Sequence, residues 1–256
     1  MRDYACLQLC GDPGGEAARE HLIYAVTAYM DSRGLVSCRK ESAERTVCFA
    51  PTAKGWAVFD DCADRLDLCE LNGMGRFLTG KLRCRGVGVM CAGQGLLLTL
   101  YADGRLRDTY ITSKRPFSGT VSLPAWVSCR GHALQWRSQL AEGTSLKALA
   151  DLFAQGERGG RTVFSQLRLA LDLDESAGYG FSCLEDARPQ GLISLYFCPS
   201  NVVKQSLLDR IFHPARRAAV STGALLHTRR GDYSRQTKES RRNFVFRRLS
   251  LHSLIK

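Results

Sequence analysis

Two carboxylates stand side by side at the end of the run KGWAVFDD, where Asp60 and Asp61 close an alternating apolar stretch opened by Trp56. Paired acids beside an aromatic ring could serve as acid and base, or as ligands of a cation. That chemistry requires a complementary acid, base or metal ligand, and none is recognisable elsewhere in the chain. The same two residues directly precede a helical stretch. A carboxylate there accepts a backbone N–H and favours the positive end of the helix dipole, typically for about 1 kcal/mol. Capping is therefore the expected role of Asp60 and Asp61. Alternation puts Trp56 on the face of Val58, opposite Ala57 and Phe59, which predicts a core anchor.

Other candidate motifs are incomplete. LDLDESAGYG resembles a calcium loop at Asp172 and Asp174, but its turn glycine falls one place late at Gly178, and Cys183 stands where the loop needs glutamate. Cys129 and His132 have metal-ligand spacing, yet no second Cys/His pair lies nearby and the chain contains no CxxC. The glycines of NGMGRFLTGKL fit neither the P-loop nor the dinucleotide fingerprint. With eleven cysteines and five histidines, a nucleophilic Cys/His pairing arises easily by chance. No cofactor, metal site or catalytic residue is assigned.

The strongest functional lead lies at the C-terminus. Of the net charge of +11, residues 213–256 contribute 11 basic and 2 acidic residues, whereas residues 1–212 hold 25 basic and 23 acidic. The body is nearly neutral and the tail is basic, as expected of an appendage that meets a polyanion. Within it, RRNFVFRR sets Phe244 and Phe246 between Arg241, Arg242, Arg247 and Arg248, with Arg229 and Arg230 upstream. Guanidinium groups hold phosphates and aromatic rings stack bases, so these eight residues are the candidate contacts for nucleic acid or an acidic partner. The bland alternative is a basic edge strand whose phenylalanines pack on the body. Paired arginines are also readable by nuclear import machinery, and RRLS, ending at Ser250, has the form of a basophilic kinase site. Arginine outnumbers lysine 28 to 8, a bias that phosphate recognition and a G+C-rich coding sequence explain equally well.

Composition is that of a globular protein, with 45% hydrophobic and 24% charged residues. Cysteines such as Cys48, Cys91 and Cys198 sit inside apolar runs, where a free thiol packs as a small hydrophobe. No secretory leader opens the chain, so a reducing, cytoplasmic compartment is expected, or the nucleus in a eukaryotic cell. The longest uncharged stretch, Gly86 to Ala102, is broken by AGQG and predicts no membrane span.

The elements read in order as a strand YACLQLC, a helix from Glu16 to Arg33, strands RTVCFA and GWAVFD, and a helix from Cys62 to Thr79. Three strands follow, GVGVMC, GLLLTLY and LRDTYIT. This predicts an α+β fold, a mixed or antiparallel sheet with helices on one face, followed by a small helix-rich segment. The latter holds helices SLKALADLF, capped at Thr144 or Ser145 and stopped by Gly156, and TVFSQLRLAL. A strand GLISLYFC and a helix NVVKQSLLDRIF complete it. A boundary is expected in Ser113 to Pro124, dividing the chain into 1–118, 119–212 and a 213–256 tail.

The residues from Gly55 to Asp186 carry a resemblance. The Gly-Trp strand, the following helix and the hairpin LYADGRLRDTY, of the form LYxDGxxxDxY, are similar to a family of uncharacterised, chiefly bacterial intracellular proteins. The resemblance implies the fold and no activity. Relatives usually carry two acids around a serine at the hairpin turn, where this chain has Ala92, Gly93 and Gln94; chemistry performed by those acids would be lost here. The expectation is a non-catalytic interaction protein with a partner-binding tail and no membrane attachment. One alternative is an enzyme with a site near the 91–104 hairpin, around Gln94 and Asp103. The other is an immunity or host-interaction protein acting through protein contacts.

Overall fold

The computed structural model describes residues 3–11, 15–112, 117 and 130–201, the side chains of 157–160 excepted. Among the described residues, eight strands form one antiparallel sheet in the order β2-β8-β3-β4-β1-β5-β6-β7. They are β1 (Tyr4–Cys10), β2 (Leu35–Ser37), β3 (Arg45–Thr52), β4 (Gly55–Asp60), β5 (Arg85–Ala92), β6 (Gly95–Ala102), β7 (Arg105–Ile111) and β8 (Ile193–Pro199). The α+β expectation is met. Helices α1 (Gly15–Ser32) and α2 (Leu68–Leu82) pack on one face, as expected. The helix-rich segment, with α3 (Leu146–Gly159), α4 (Phe164–Ala170) and the short α5 (Leu184–Ala187), covers the other.

Burial on both faces explains why the central strands read as nearly continuous apolar runs. In β1, Ala5, Leu7 and Leu9 join the α1/α2 core, while Tyr4 and Cys6 join the α3/α4 core. The late strand β8 pairs with β3 and with β2, so the chain returns after the second helical layer to complete the sheet begun by its first half. Trp56 lies beside Val58 in the α1/α2 core and meets Phe49 edge-on at 5.6 Å, whereas Ala57 and Phe59 face the other layer.

Two local readings are corrected. The stretch after Asp61 is a short 3-10 turn, Ala63–Arg65, broken at Leu66, whose φ of 63° cannot continue a helix. Asp67 then caps α2, accepting from the backbone N–H groups of Cys69 and Glu70 at 2.9 and 3.1 Å. Helix α3 runs through Gly156 to Gly159. Gly156 is a point of close approach, since a Cβ there would lie 1.8 Å from Tyr110 Oη. Ser145 is the α3 cap, accepting from Ala148 N at 3.1 Å.

The glycines of NGMGRFLTGKL also serve packing. A Cβ at Gly73 would lie 2.8 Å from Tyr29 Oη, and one at Gly75 would lie 2.5 Å from the Tyr101 ring. The helix accepts a propensity cost of about 1 kcal/mol per glycine to seat two aromatic rings against its backbone.

Several expectations lie outside the described residues: Cys129, nearly all of the 113–124 boundary, the helix beyond residue 201, and the whole 213–256 tail. The tail includes Arg229, Arg230, Arg241, Arg242, Phe244, Phe246, Arg247 and Arg248.

Candidate functional site

Asp60 and Asp61, adjacent in sequence, have different environments. Asp60 is buried at the end of β4 and takes a two-pronged bond from Arg45 at the start of β3: Nε donates to Oδ1 at 2.9 Å and Nη2 to Oδ2 at 2.7 Å. Its oxygens also accept from Cys62 N and Ala63 N at the entry to the 3-10 turn, whose N-cap is Cys62 without a side-chain bond; the capping of α2 expected of Asp60 and Asp61 is carried by Asp67 instead. The third arm of Arg45, Nη1, reaches Glu70 Oε2 on α2 at 2.9 Å. Glu70 in turn accepts from Tyr29 Oη at 3.1 Å, on α1, and pairs with Arg33 just beyond that helix. Burial works against the charge of Arg45, but the hydrogen bond and charge of Asp60 more than offset it and hold the guanidinium protonated. The network locks both helices onto the β3/β4 pair.

Asp61 has weaker support, from a backbone hydrogen bond at Thr46 and the charges of Arg65 and Arg45. Its Oδ1 is buried without a hydrogen-bond partner, and burial, with the charge of Asp60 beside it, raises its pKa above the usual carboxylate range. Asp60, Asp61 and Cys62 bring their ligand atoms within 4.8 Å of one another. A cation there would have to compete with Arg45 for both oxygens of Asp60, and burial pushes the Cys62 thiol up to about 11, away from the thiolate that binds metal. The arrangement stabilises structure; it does not resemble a poised acid/base pair.

The residues of LYxDGxxxDxY have comparable structural duties. Asp103 and Gly104, with φ of 51° and 75°, make the tight turn between β6 and β7. Tyr101 donates to Asn72 Oδ1 at 2.7 Å. Asp108 Oδ2 accepts from His132 N at 2.6 Å and from Trp136 Nε1 at 2.7 Å, fastening the 3-10 segment Ala133–Gln139 to β7. Tyr110 donates to Phe153 O at 2.9 Å and stacks on its ring.

The turn at Gly93 and Gln94 is held by Asp3, which accepts from Gly93 N, and by Arg161 N, which donates to Gln94 O, each at 2.7 Å. Gln94 and Asp103 stand at opposite ends of β6, eight residues of about 3.4 Å each. They do not share a small-molecule site.

All ten described cysteines are free. Burial raises the thiol pKa of Cys6, Cys10 and Cys48, and pushes Cys91 up to about 11 and Cys84 to about 12. Each stays protonated at neutral pH and is a weak nucleophile. In the rejected calcium loop, Asp172 pairs with Lys54 and Asp174 caps the next turn by accepting from Ser176 N at 2.9 Å.

One concave feature was not anticipated. A polar cleft at one end of the sheet is lined by Cys10, Lys54, Arg85, Gln139 and Asp172, with a volume of about 340 Å³ beside a smaller cavity of about 140 Å³. These residues come from five separate segments, and no local motif links them. Among the described residues, no helix is long and apolar enough to cross a membrane. Compared with known proteins, the chain matches no family model, no curated protein and no solved structure.

Proposed function

We propose that the protein acts by binding: a folded body carries a basic C-terminal tail that engages nucleic acid or an acidic protein. The observation that carries this reading is the division of charge, +9 over residues 213–256 against +2 over residues 1–212. Arg229, Arg230, Arg241, Arg242, Arg247 and Arg248 supply phosphate or carboxylate contacts, and Phe244 and Phe246 supply stacking surfaces. The employment of Asp60, Asp108 and Tyr110 in buried hydrogen bonds and of Asp103 in the β6–β7 turn is consistent with a body that serves as a scaffold. Membership in the chiefly bacterial family with the LYxDGxxxDxY hairpin, and a cytoplasmic setting with reduced thiols, belong to the same proposal.

Copurification from cells, with and without nuclease, tests it. The whole chain should carry nucleic acid that nuclease removes, or an acidic protein that nuclease leaves in place. Residues 1–212 should carry neither. Equal recovery of the same partner by both forms would overturn the reading.

A further inference from the structure

Positive charge is not spread evenly over the body. Residues 76–107 hold six basic residues, Arg76, Lys81, Arg83, Arg85, Arg105 and Arg107, against one acid, Asp103, whereas the rest of residues 1–212 holds 19 basic and 22 acidic. All six cations are exposed. The fold brings them to one end of the sheet. Arg85, Ala102 and Arg105 stand opposite one another on β5, β6 and β7, which sets Arg85 and Arg105 on the same face about 10 Å apart, two strand spacings. Helix α2 ends beside them. A Cβ at Gly80 would lie 3.1 Å from Gly104 Cα, so two glycines let the helix close onto the β6–β7 turn, and Arg76 Nε donates to Gly104 O at 3.4 Å. Lys81 and Arg83 extend the cluster from the end of α2.

This charge is left uncompensated. Among the described residues, no carboxylate pairs with Arg76, Lys81, Arg83, Arg85 or Arg105, and Asp103 is engaged by Arg107 at 3.4 Å. Arg76 and Arg85 bond to carbonyl oxygens, of Gly104 and Ser138, which leaves their charge in place. The dipole of α2 accounts for Lys81 and Arg83 at its C-terminus, but not for Arg85 and Arg105 on the strands. Like charges held together repel, and an anion relieves that cost. The exposed large hydrophobic residues, Tyr24, Leu134 and Leu169, lie elsewhere in the sequence. Residues 76–107 thus offer neither the apolar anchor of a protein interface nor an exposed ring on which a single strand stacks. Exposed guanidinium groups without rings suit a phosphate backbone whose bases are paired away.

We infer that this end of the body contacts the phosphate backbone of a nucleic-acid duplex. The inference rests on the proposed engagement of nucleic acid by the tail. A handful of exposed cations binds weakly alone and becomes effective when a covalently joined element already holds the same duplex.

The test is fluorescence anisotropy of the full-length protein with a labelled DNA duplex of about 20 base pairs, across a salt series. One variant combines Lys81→Gln, Arg83→Gln and Arg105→Gln, exposed side chains that form no ion pair among the described residues. It should keep the wild-type unfolding midpoint, bind at least about tenfold more weakly at low salt, and lose about 2–3 from the log-log slope, at about 0.9 per phosphate. A control combining Arg39→Gln, Lys40→Gln and Lys147→Gln removes the same charge at exposed positions elsewhere, and should leave the slope within about one of wild type. Wild-type affinity and slope in the patch variant would overturn the inference. So would an equal loss in the control, an equal or greater loss on a single strand of the same length, or a loss seen on polyglutamate alone. Absence of duplex binding by the wild type would overturn it too. The tail reading fails by a different result, wild-type binding in a variant lacking the six tail arginines, so the two failures are told apart.

Discussion

Replacing Asp108 by alanine should show whether the DxY end of the hairpin motif is architectural. Asp108 is buried, and its Oδ2 accepts from both His132 N and the indole Nε1 of Trp136, a fully buried ring. Asp108→Ala leaves both donors without that acceptor. At about 1–3 kcal/mol for each orphaned donor, the expected destabilisation is about 2–6 kcal/mol. Asp108→Asn retains an oxygen but loses the charge, and should cost about 2 kcal/mol, the difference between charged and neutral acceptors over two bonds. Urea unfolding followed by far-UV circular dichroism measures both. Adding Trp136→Phe, alone and with Asp108→Ala, closes a double-mutant cycle whose coupling energy isolates the indole bond. If Asp108→Ala stayed within about 0.5 kcal/mol of wild type, as an ordinary surface change does, the assigned role would be wrong. Zero coupling to Trp136 would likewise show that the indole bond carries no stability.

Four further outcomes are expected. Arg45→Met should destabilise by about 3–5 kcal/mol in chemical unfolding, because it leaves Asp60 a buried anion without its counter-ion and removes from Glu70 one of its two arginine partners; a loss below about 1 kcal/mol would contradict the network. Trp56→Ala should cost about 3–5 kcal/mol in the same assay, and a fully stable variant would remove Trp56 from the core. Asp61→Asn should stabilise the protein at neutral pH. Burial and Asp60 raise the folded-state pKa of Asp61, so folding favours its protonated form; the penalty is absent at low pH and develops as pH rises from the ordinary carboxylate range through the raised value. The advantage of Asp61→Asn should therefore shrink on acidification, and a pH-independent difference would refute this cause. Gly75→Ala should destabilise despite alanine's better helix propensity, because its Cβ meets the Tyr101 ring; a gain in thermal stability would show that the ring can move aside.

Much of the architecture is legible because burial on two faces leaves a strong local signal. The apolar runs GVGVMC and GLLLTLY correspond to β5 and β6, and alternation alone places Trp56 with Val58. Helix starts are less legible. Asp60, Asp61 and Asp67 are all suitable caps by type, and the choice depends on Arg45 engaging Asp60 across the strand pair and on the left-handed backbone at Leu66. Gly73, Gly75 and Gly156 look like helix weaknesses because the rings they admit, Tyr29, Tyr101 and Tyr110, come from distant segments. The cleft residues are individually ordinary for the same reason, and only the closing of the sheet and the second helical layer assembles them.

The binding account is tested most directly by the salt dependence of nucleic-acid affinity for the full-length protein, compared with a variant in which Arg229, Arg230, Arg241, Arg242, Arg247 and Arg248 are all glutamine. For the wild type, log affinity should fall against log salt with a slope of about 0.7–0.9 per phosphate contacted. The variant should lose that slope and most of its affinity while keeping the wild-type unfolding midpoint. Wild-type affinity and salt slope in the variant would contradict the account.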